Sequence, residues 1–365
     1  MAATILESAP AVHAAFNPTR VALSKESGDG YASAALRVAA SDGSADIRFE
    51  RDFIGNRATF YIDGLLSKLF REGATPIVDT RVVADALLAA SYTLQVLSPI
   101  TSSSVARTAL NAVVQAGESF DFAPYRGKFL TRARYLQKYA GYPLSVAALS
   151  FPASSTYVSF NGGAVNGITI SAPHFVVNIP DDALRVLLSK SQLAGNLLEA
   201  NGGELITTNS GEVVELWPLL TDGSITPLQV VPSCTPNSPL YVRWVNKLGG
   251  YDHFMFKQRQ TVKQELKNVQ LSAPFVTDSA AFERSEEVYS YEADNTVVAG
   301  AENVNRYEFD VLRGLLTSPR MWWYREDLQR WIRIYIAKGS TQENTRQSMQ
   351  SVEFEFVLPE QNVQI

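Results

Sequence analysis

The chain has 365 residues, a hydrophobic share of 46% and a formal net charge of −5. This length predicts two or three domains rather than one core, and the hydrophobic share excludes a disordered protein. The acidic balance argues against a protein that coats nucleic acid or a membrane surface. The single cysteine, Cys234, excludes an intrachain disulfide and is typical of a protein made in a reducing cytoplasm.

The beginning of the sequence lacks the basic segment and the long apolar run of a secretory signal. No uninterrupted apolar stretch of about 20 residues occurs, which is the length needed to cross a bilayer. We therefore expect a protein without a membrane partner, either soluble or assembled into a soluble particle.

Residues 1–80 alternate short apolar runs with Gly, Ser and Asp turns, which predicts an N-terminal β domain of the sandwich type. In the run 46–54, Ile47 and Phe49 alternate with charged residues, so we expect a strand with one buried face. Residues 62–70 have apolar side chains at helical spacing and predict one short helix. The other strand candidates are residues 20–23 and 34–39.

Residues 81–262 predict a central β-rich domain. The runs 92–97 and 107–115 are expected to pair with each other, and 213–219 and 225–231 are further strand candidates. Residues 181–199 are the best candidate for a long helix, because two aspartates begin the run and two glycines follow it. The dense apolar run 183–188 leaves a buried strand open as an alternative.

The run 120–142 combines aromatic and basic residues. Such a run can bind nucleic acid or anions, but the acidic chain as a whole favours an ordered loop with a solvated face. The basic residues are Arg126, Lys128, Arg132, Arg134 and Lys138.

The strongest local pattern covers residues 239–256. Tyr241 and Arg243 alternate with Val242 and Trp244, which is the period of a strand with two different faces. Gly249 and Gly250 then allow a positive φ, and an aromatic run beginning at Tyr251 follows. The pattern predicts an aromatic β-hairpin with structural roles for Trp244, Asn246, Gly249, Gly250 and Tyr251.

Residues 263–365 predict a C-terminal α+β domain. A helix is expected over 307–316, where Phe309, Leu312, Leu315 and Leu316 share one face, and Pro319 follows its end. Strands are expected over 321–324, 331–337 and 352–358. In the second of these, Ile332, Ile334 and Ile336 alternate with Trp331, Arg333 and Tyr335.

Sequence motifs of catalysis are absent. His13, His174 and His253 are far apart in the sequence, and no acidic cluster or second cysteine accompanies them, so a metal site is not expected. No P-loop, nucleophile elbow or dinucleotide-binding fingerprint occurs. Asp252 and His253 form the most site-like pair, and we interpret them as a surface feature of the hairpin rather than a catalytic dyad. We expect no enzyme, no cofactor and a packed or loop thiol at Cys234.

The run from Trp244 to Phe256, Trp-Val-Asn-Lys-Leu-Gly-Gly-Tyr-Asp-His-Phe-Met-Phe, resembles a signature of tail-region proteins in phages and prophages of Bacteroidetes bacteria. The opening run 15–21 and the C-terminal helix, Trp-containing strand and final Phe-x-Phe strand resemble theirs in pattern. The resemblance implies a virion tail or baseplate component, made in the bacterial cytoplasm.

The leading functional hypothesis is a ring-forming adaptor of the distal-tail or baseplate type, whose partners are copies of itself and other tail proteins. We expect the C-terminal domain to make the ring through an aromatic surface. Its candidate residues are Trp322, Trp323, Tyr324, Trp331 and Tyr335. The alternative is a β-sandwich protein that binds carbohydrate or a host surface, with Trp217, Trp244 or Trp331 stacking on the ligand. A tail-associated glycan hydrolase is the third hypothesis.

Overall fold

A computed structural model gives the fold. It describes residues 4–26, 28, 30, 32–70, 82–97, 103–114, 121–152, 155–160, 168–170, 172–190, 225–237, 239–272, 287–341 and 349–358. The chain divides into two compact units. Unit 1 contains Met1–Cys234 and Val245–Asp252, and unit 2 contains Thr235–Trp244 and His253–Ile365. These bounds differ from the boundaries expected near residues 80 and 262.

Unit 1 is built from short strands. Its elements in chain order are β1 (Thr4–Glu7), β2 (Val12–Ala14), β3 (Arg20–Ser24), β4 (Ser33–Ala40), β5 (Asp46–Asp52), β6 (Arg57–Tyr61), α1 (Asp63–Leu66), β7 (Val82–Val83), β8 (Ala89–Leu97), β9 (Ser104–Leu110), a 3₁₀ turn (Ala123–Tyr125), β10 (Tyr135–Tyr139), β11 (Leu144–Leu149), β12 (Thr156–Phe160), β13 (Ile168–Ile170), β14 (His174–Ile179), β15 (Arg185–Ser189) and β16 (Ile225–Ser233). The expectation of a mainly β protein is confirmed.

The first sandwich of unit 1 packs the sheet β1-β3-β6 on the sheet β2-β9-β8-β4-β5. Both sheets contribute to one hydrophobic core, for example Val21 and Phe60 from the first sheet and Leu36 and Leu94 from the second. The pairing expected between 92–97 and 107–115 is confirmed in part: β8 pairs antiparallel with β9, and Tyr92 lies opposite Arg107. Strand β9 starts earlier than expected, at Ser104, and ends at Leu110. The first sandwich thus extends past residue 80 to residue 110.

Two local expectations for this sandwich are confirmed only in part. The helix expected over 62–70 is limited to α1, although the apolar residues that suggested it, including Leu65 and Leu69, are buried. Strand β5 lies at the edge of its sheet, so Ile47 is exposed and only Phe49 packs against the core. An edge strand covered with charge is a common protection against pairing with other chains.

The second sandwich packs the sheet β10-β16-β15-β12-β13 on the sheet β11-β14-β7, and their facing residues form a second core. The long helix expected over 181–199 is wrong for its described part. Residues 185–189 form β15, which pairs with β12 on one side and β16 on the other. Val186, Leu187 and Leu188 are all buried, which confirms the buried-strand alternative. The strand expected over 213–219 lies outside the described residues.

Unit 2 contains one large sheet. Its elements are β17 (Leu240–Val245), β18 (Tyr251–Phe256), β19 (Gln258–Ser272), β20 (Glu287–Asn305), α2 (Arg306–Arg313), a 3₁₀ turn (Gly314–Thr317), β21 (Met321–Arg325), β22 (Arg330–Thr341) and β23 (Met349–Val357). The sheet order is β18-β17-β21-β22-β23-β20-β19, with β17 and β18 extending into the residues assigned to unit 1.

Helix α2 confirms the helix expected after residue 306. Asn305 caps it: the side-chain oxygen accepts a hydrogen bond from the Glu308 backbone N–H at 2.9 Å, and the Glu308 carboxylate accepts from the Asn305 N–H. Phe309, Leu312 and Leu315 are buried as expected, whereas Leu316 is exposed because the helix tightens into a 3₁₀ turn from Gly314. Among the described residues, no helix has the length and apolarity to cross a membrane.

Candidate functional site: the hairpin tip and the aromatic face

Residues 245–252, here called the tip, connect β17 to β18 and belong to unit 1. Asn246 organises the tip: its side-chain oxygen accepts hydrogen bonds from the backbone N–H groups of Leu248 (2.9 Å) and Gly250 (3.0 Å). The Asn246 N–H donates to the Gly250 carbonyl at 2.8 Å and closes the turn. An Asx turn of this kind replaces hydrogen bonds that the strands no longer supply.

The two glycines have different roles. Gly249 has φ of +79°, which confirms the expected left-handed conformation, and its ideal Cβ would lie 3.1 Å from the Leu110 side chain. Gly250 has no positive φ, but its Cβ would lie 2.3 Å from the Leu130 carbonyl oxygen. Gly249 is therefore needed for the turn, and Gly250 for a close approach of two backbones.

Both sandwiches of unit 1 hold the tip. We call the residues that hold it the cradle: they are Asp85, 110–113, Leu130, Thr131 and His174. The Asn246 side-chain amide donates to the Leu130 carbonyl at 2.8 Å, and the Val113 N–H donates to the Lys247 carbonyl at 3.1 Å. The Tyr251 hydroxyl donates to the Asp85 carboxylate at 2.7 Å. The tip thus contacts segments that lie 116 and 166 positions away in the sequence.

Asp252 is the buried acid of the tip, with 5% of its surface exposed. The Thr131 hydroxyl donates to its carboxylate at 2.7 Å. Burial raises the pKa of Asp252 to about 6, and the hydrogen bonds from Thr131 and Asn246 and the charge of Arg132 oppose this rise. The interpretation of Asp252 as a surface residue is wrong, because the docked tip carries it into the interior of unit 1.

His174 of β14 lies against the same turn. Its Nε2 is 3.3 Å from the Gly249 carbonyl oxygen, and a carbonyl can only accept, so Nε2 carries the proton. Burial lowers the pKa of His174 to about 4, while Asp85 and the bond to Gly249 oppose this fall. Within the part of the chain that the structure describes, Nδ1 is buried without a hydrogen-bond partner. Sequence reasoning did not connect His174 to the hairpin.

The second notable arrangement is a sheet face of unit 2 that carries Arg243, Trp322, Tyr324, Trp331 and Tyr335, here called the aromatic face. Arg243 of β17 is opposite Trp322 of β21, and Tyr324 of β21 is opposite Trp331 of β22. The buried Arg243 guanidinium lies 5.0 Å from the ring centroid of Trp322 and 4.4 Å from that of Trp331. These distances are within the range of a cation–π interaction with both indoles.

Further rings surround Trp331. Its ring centroid lies 5.2 Å from that of Tyr324, 5.7 Å from that of Tyr241 and 6.0 Å from that of His253. His253 also stacks on Tyr241 at 5.8 Å. His253 is therefore an aromatic packing residue of unit 2.

The five candidate interface residues differ in position. Trp322 and Tyr324 are buried, and the strand alternation places Trp323 on the other face, where Arg325 lies 5.1 Å from its ring. Trp331 is partly exposed, and Tyr335 is 60% exposed on the same face of β22. The expected alternation of Trp331 and Tyr335 with Ile332, Ile334 and Ile336 is confirmed, although only Ile334 is fully buried.

The remaining candidate residues have structural surroundings. Trp244 is fully buried, Cys234 is exposed just after β16, and Trp217 lies outside the described residues. The basic run 120–142 is not a uniformly solvated loop, because Lys138 lies buried in β10 and contacts Asp181 at 2.7 Å. The described residues contain no group of three His, Cys, Asp or Glu that could hold a metal ion.

Comparisons with known proteins give no family. No family model matches the chain, and no curated protein matches it. Among solved structures, a 1.5-MDa bacterial ice-binding adhesin aligns with 8% identity and a TM-score of 0.16, over 80% of this chain and 88% of that chain. A marsupial T cell receptor aligns with 12% identity and a TM-score of 0.17, over 80% of this chain and 96% of that chain. These scores are too low to support an argument about fold or function.

Proposed function

We propose that this chain is a structural component of a bacteriophage virion tail. Its role would be that of a distal-tail or baseplate adaptor, forming a ring between the tail tube and the receptor-binding parts. Its partners would be further copies of itself and other tail proteins, without nucleic acid or membrane. It would be made in the bacterial cytoplasm and reside in the virion.

The observation that supports this proposal is that the residues of the tail-protein signature have structural roles in the hairpin. Asn246, Gly249 and Gly250, which this chain shares with the tail-protein signature, each form a contact that docks the tip in its cradle. Trp244, the first residue of the signature, is fully buried in unit 2. The signature therefore has an architectural explanation, as expected for a protein whose function is to hold its shape in an assembly.

The aromatic face suggests where copies could meet. Subunit interfaces are enriched in Trp, Tyr, Met and Arg relative to the rest of a protein surface. Tyr335 and the exposed part of Trp331 lie on the sheet face where the buried Arg243 packs over the rings of Trp322 and Trp331. A preorganised aromatic surface loses little side-chain entropy when it is covered.

A second candidate is a carbohydrate-binding or host-surface adhesion protein. One observation favours it: Trp331 is partly exposed and is held in orientation by Tyr241, Tyr324 and Arg243. A fixed, partly exposed indole can stack on a sugar ring.

The test begins with the purified full chain. Mass photometry and negative-stain electron microscopy should show closed rings, and mass spectrometry should find the chain in phage particles sedimented from lysates of the producing bacterium. A protein that stays monomeric at high concentration and is absent from particles would contradict the proposal. Binding to a glycan array that is lost in Trp331→Ala, without ring formation, would favour the second candidate.

A further inference from the structure

Two buried titratable groups meet at the tip, and protonation has opposite effects on docking at the two groups. Asp252 belongs to the tip itself, and His174 belongs to the second sandwich. Both contact the turn built on Asn246: Asn246 hydrogen-bonds the Asp252 carboxylate, and His174 bonds the Gly249 carbonyl. Proton binding at either group therefore acts on the same few residues.

A proton on Asp252 is compatible with the docked tip. A buried carboxylate is costly unless donors and cations surround it. The donors here are neutral, the Thr131 hydroxyl and the Asn246 amide, and Arg132 is the nearby cation. Protonation removes the buried charge and leaves one carboxyl oxygen free to accept from Thr131.

A proton on His174 opposes the docked tip. Nε2 already donates to Gly249, so a second proton would go to Nδ1, for which the described residues provide no acceptor. Among the residues that the structure describes, Asp85 is the charged group that acts on His174, and its carboxylate already accepts from Tyr251. The cradle segment 110–113 contributes no titratable side chain.

We propose that protonation of Asp252 stabilises the docked tip, that protonation of His174 destabilises it, and that these opposing effects keep the tip docked in its cradle from neutral to mildly acidic pH. Each group alone would make docking pH-dependent, and together they offset each other. This inference is independent of the proposed role in a virion.

The signs follow from linkage. The docked state raises the pKa of Asp252 from 3.8 to about 6, so it binds more protons than the released tip, and acidification from pH 7 to 5 strengthens docking by about tenfold. The docked state lowers the pKa of His174 from 6.5 to about 4, so the same acidification weakens docking by about twentyfold. The two effects have opposite signs, so they offset each other in the wild-type protein.

Hydrogen–deuterium exchange of the full chain tests the proposal. The amides of Leu248 and Gly250, which are bonded to Asn246, report tip opening. Exchange of a peptide covering 245–252 is measured at pH 7 and pH 5 and corrected for the intrinsic rate. On going from pH 7 to pH 5, the opening equilibrium of the tip should change little in the wild-type protein. Over the same change it should rise about twentyfold in Asp252→Asn and fall about tenfold in His174→Gln.

The exposed Asp46, which pairs with Arg37 in the first sandwich, provides the matched control. Asp46→Asn should behave as the wild-type protein at the tip. The proposal is overturned if Asp252→Asn and His174→Gln both show the wild-type pH response.

A second measurement uses the wild-type protein and therefore does not depend on the folding of a variant. NMR titration of the wild-type protein should show His174 neutral at pH 5 and the Asp252 carboxyl titrating near pH 6. Titration of His174 near pH 6.5, or of Asp252 near pH 4, would also overturn the proposal.

Discussion

An ideal Cβ atom on Gly250 would lie 2.3 Å from the carbonyl oxygen of Leu130, a separation that real Cβ atoms do not show. The Leu130 carbonyl cannot move away freely, because it accepts the Asn246 side-chain amide at 2.8 Å and the Leu130 N–H donates to the Ala147 carbonyl. The close packing of the tip against the loop before β10 therefore requires a residue without a side chain at position 250.

We predict that Gly250→Ala lowers the free energy of unfolding by about 1–3 kcal/mol, the usual effect of overpacking. Gly64 provides the control, because its Cβ would meet no atom within 4 Å and its φ is not positive. Because Gly64 lies in α1, where Ala is favoured over Gly, Gly64→Ala should leave stability unchanged or raise it by up to about 1 kcal/mol. Urea unfolding measures both, and equal stabilities of the two variants would contradict the close approach at Leu130.

The hairpin could be predicted from sequence because its information is local. The alternation around Trp244 and the double glycine specify strand, turn and strand within 18 residues. The α2 helix and the strands around Trp322 and Trp331 were predictable for the same reason. Strand β19 is not predicted, since the largely polar run 258–272 lacks the alternation of a half-buried strand.

The cradle could not be predicted, because it depends on contacts between distant segments. Asp85, Leu130 and His174 lie in three separate parts of the chain, and each looks ordinary in its local sequence. In the local sequence, nothing distinguishes Asp252 from a residue of a solvated hairpin turn. Burial of the tip reverses the surface interpretation of Asp252, and no periodicity of the hairpin indicates it.

The second prediction concerns Asn246, whose side chain makes three hydrogen bonds to backbone groups, those of Leu130, Leu248 and Gly250. Asn246→Ala should lower the free energy of unfolding by about 2–4 kcal/mol, since buried N–H and carbonyl groups lose their partners. Asn246→Asp keeps the acceptor but replaces the donor that faces the Leu130 carbonyl, so it should also destabilise. Thermal and urea unfolding measure both variants. Wild-type stability of Asn246→Asp would show that the bond to Leu130 contributes nothing.

The third prediction concerns the buried Arg243. Lys has no planar guanidinium to pack over the rings of Trp322 and Trp331, so Arg243→Lys should lower stability by about 1–2 kcal/mol. Arg325 is the matched control, because it lies over the single ring of Trp323 and pairs with the exposed Asp327. Arg325→Lys should change stability by less than about 0.5 kcal/mol. A larger loss for Arg325→Lys would contradict the assigned role of Arg243.

The fourth prediction is a pH dependence at His13 in the first sandwich. Its Nδ1–H donates to the Ala14 carbonyl at 3.2 Å, and its Nε2 accepts from the Tyr92 hydroxyl at 2.8 Å. The His13 ring is therefore neutral in the folded protein. Burial lowers the pKa of His13 below 6.5. The folded state thus binds fewer protons than the unfolded state, and stability is lost as pH falls below about 6.5.

His13→Gln should therefore lose less stability than the wild-type protein between pH 7.5 and pH 5.5. Urea unfolding at the two pH values measures the difference, with the other titrating groups common to both proteins. If the wild-type protein and His13→Gln lose the same free energy over this range, His13 is not the neutral buried group described.

The last prediction concerns Tyr335, the most exposed residue of the aromatic face. If copies meet through this face, a carboxylate at position 335 would be buried without a partner, at a penalty of several kcal/mol for each contact. Tyr335→Glu should therefore abolish the ring while leaving the melting temperature nearly unchanged, because the Tyr335 side chain is 60% exposed within the chain. Tyr335→Phe should retain the ring, since it preserves the apolar surface.

Leu328, in the turn between β21 and β22, is 46% exposed and provides a control for adding charge elsewhere on unit 2. Leu328→Glu should assemble as the wild-type protein does. Light scattering and cross-linking at matched concentrations distinguish these outcomes. Rings formed equally well by Tyr335→Glu would show that subunits meet elsewhere, because a charged carboxylate cannot be accommodated at the centre of an aromatic interface without a partner.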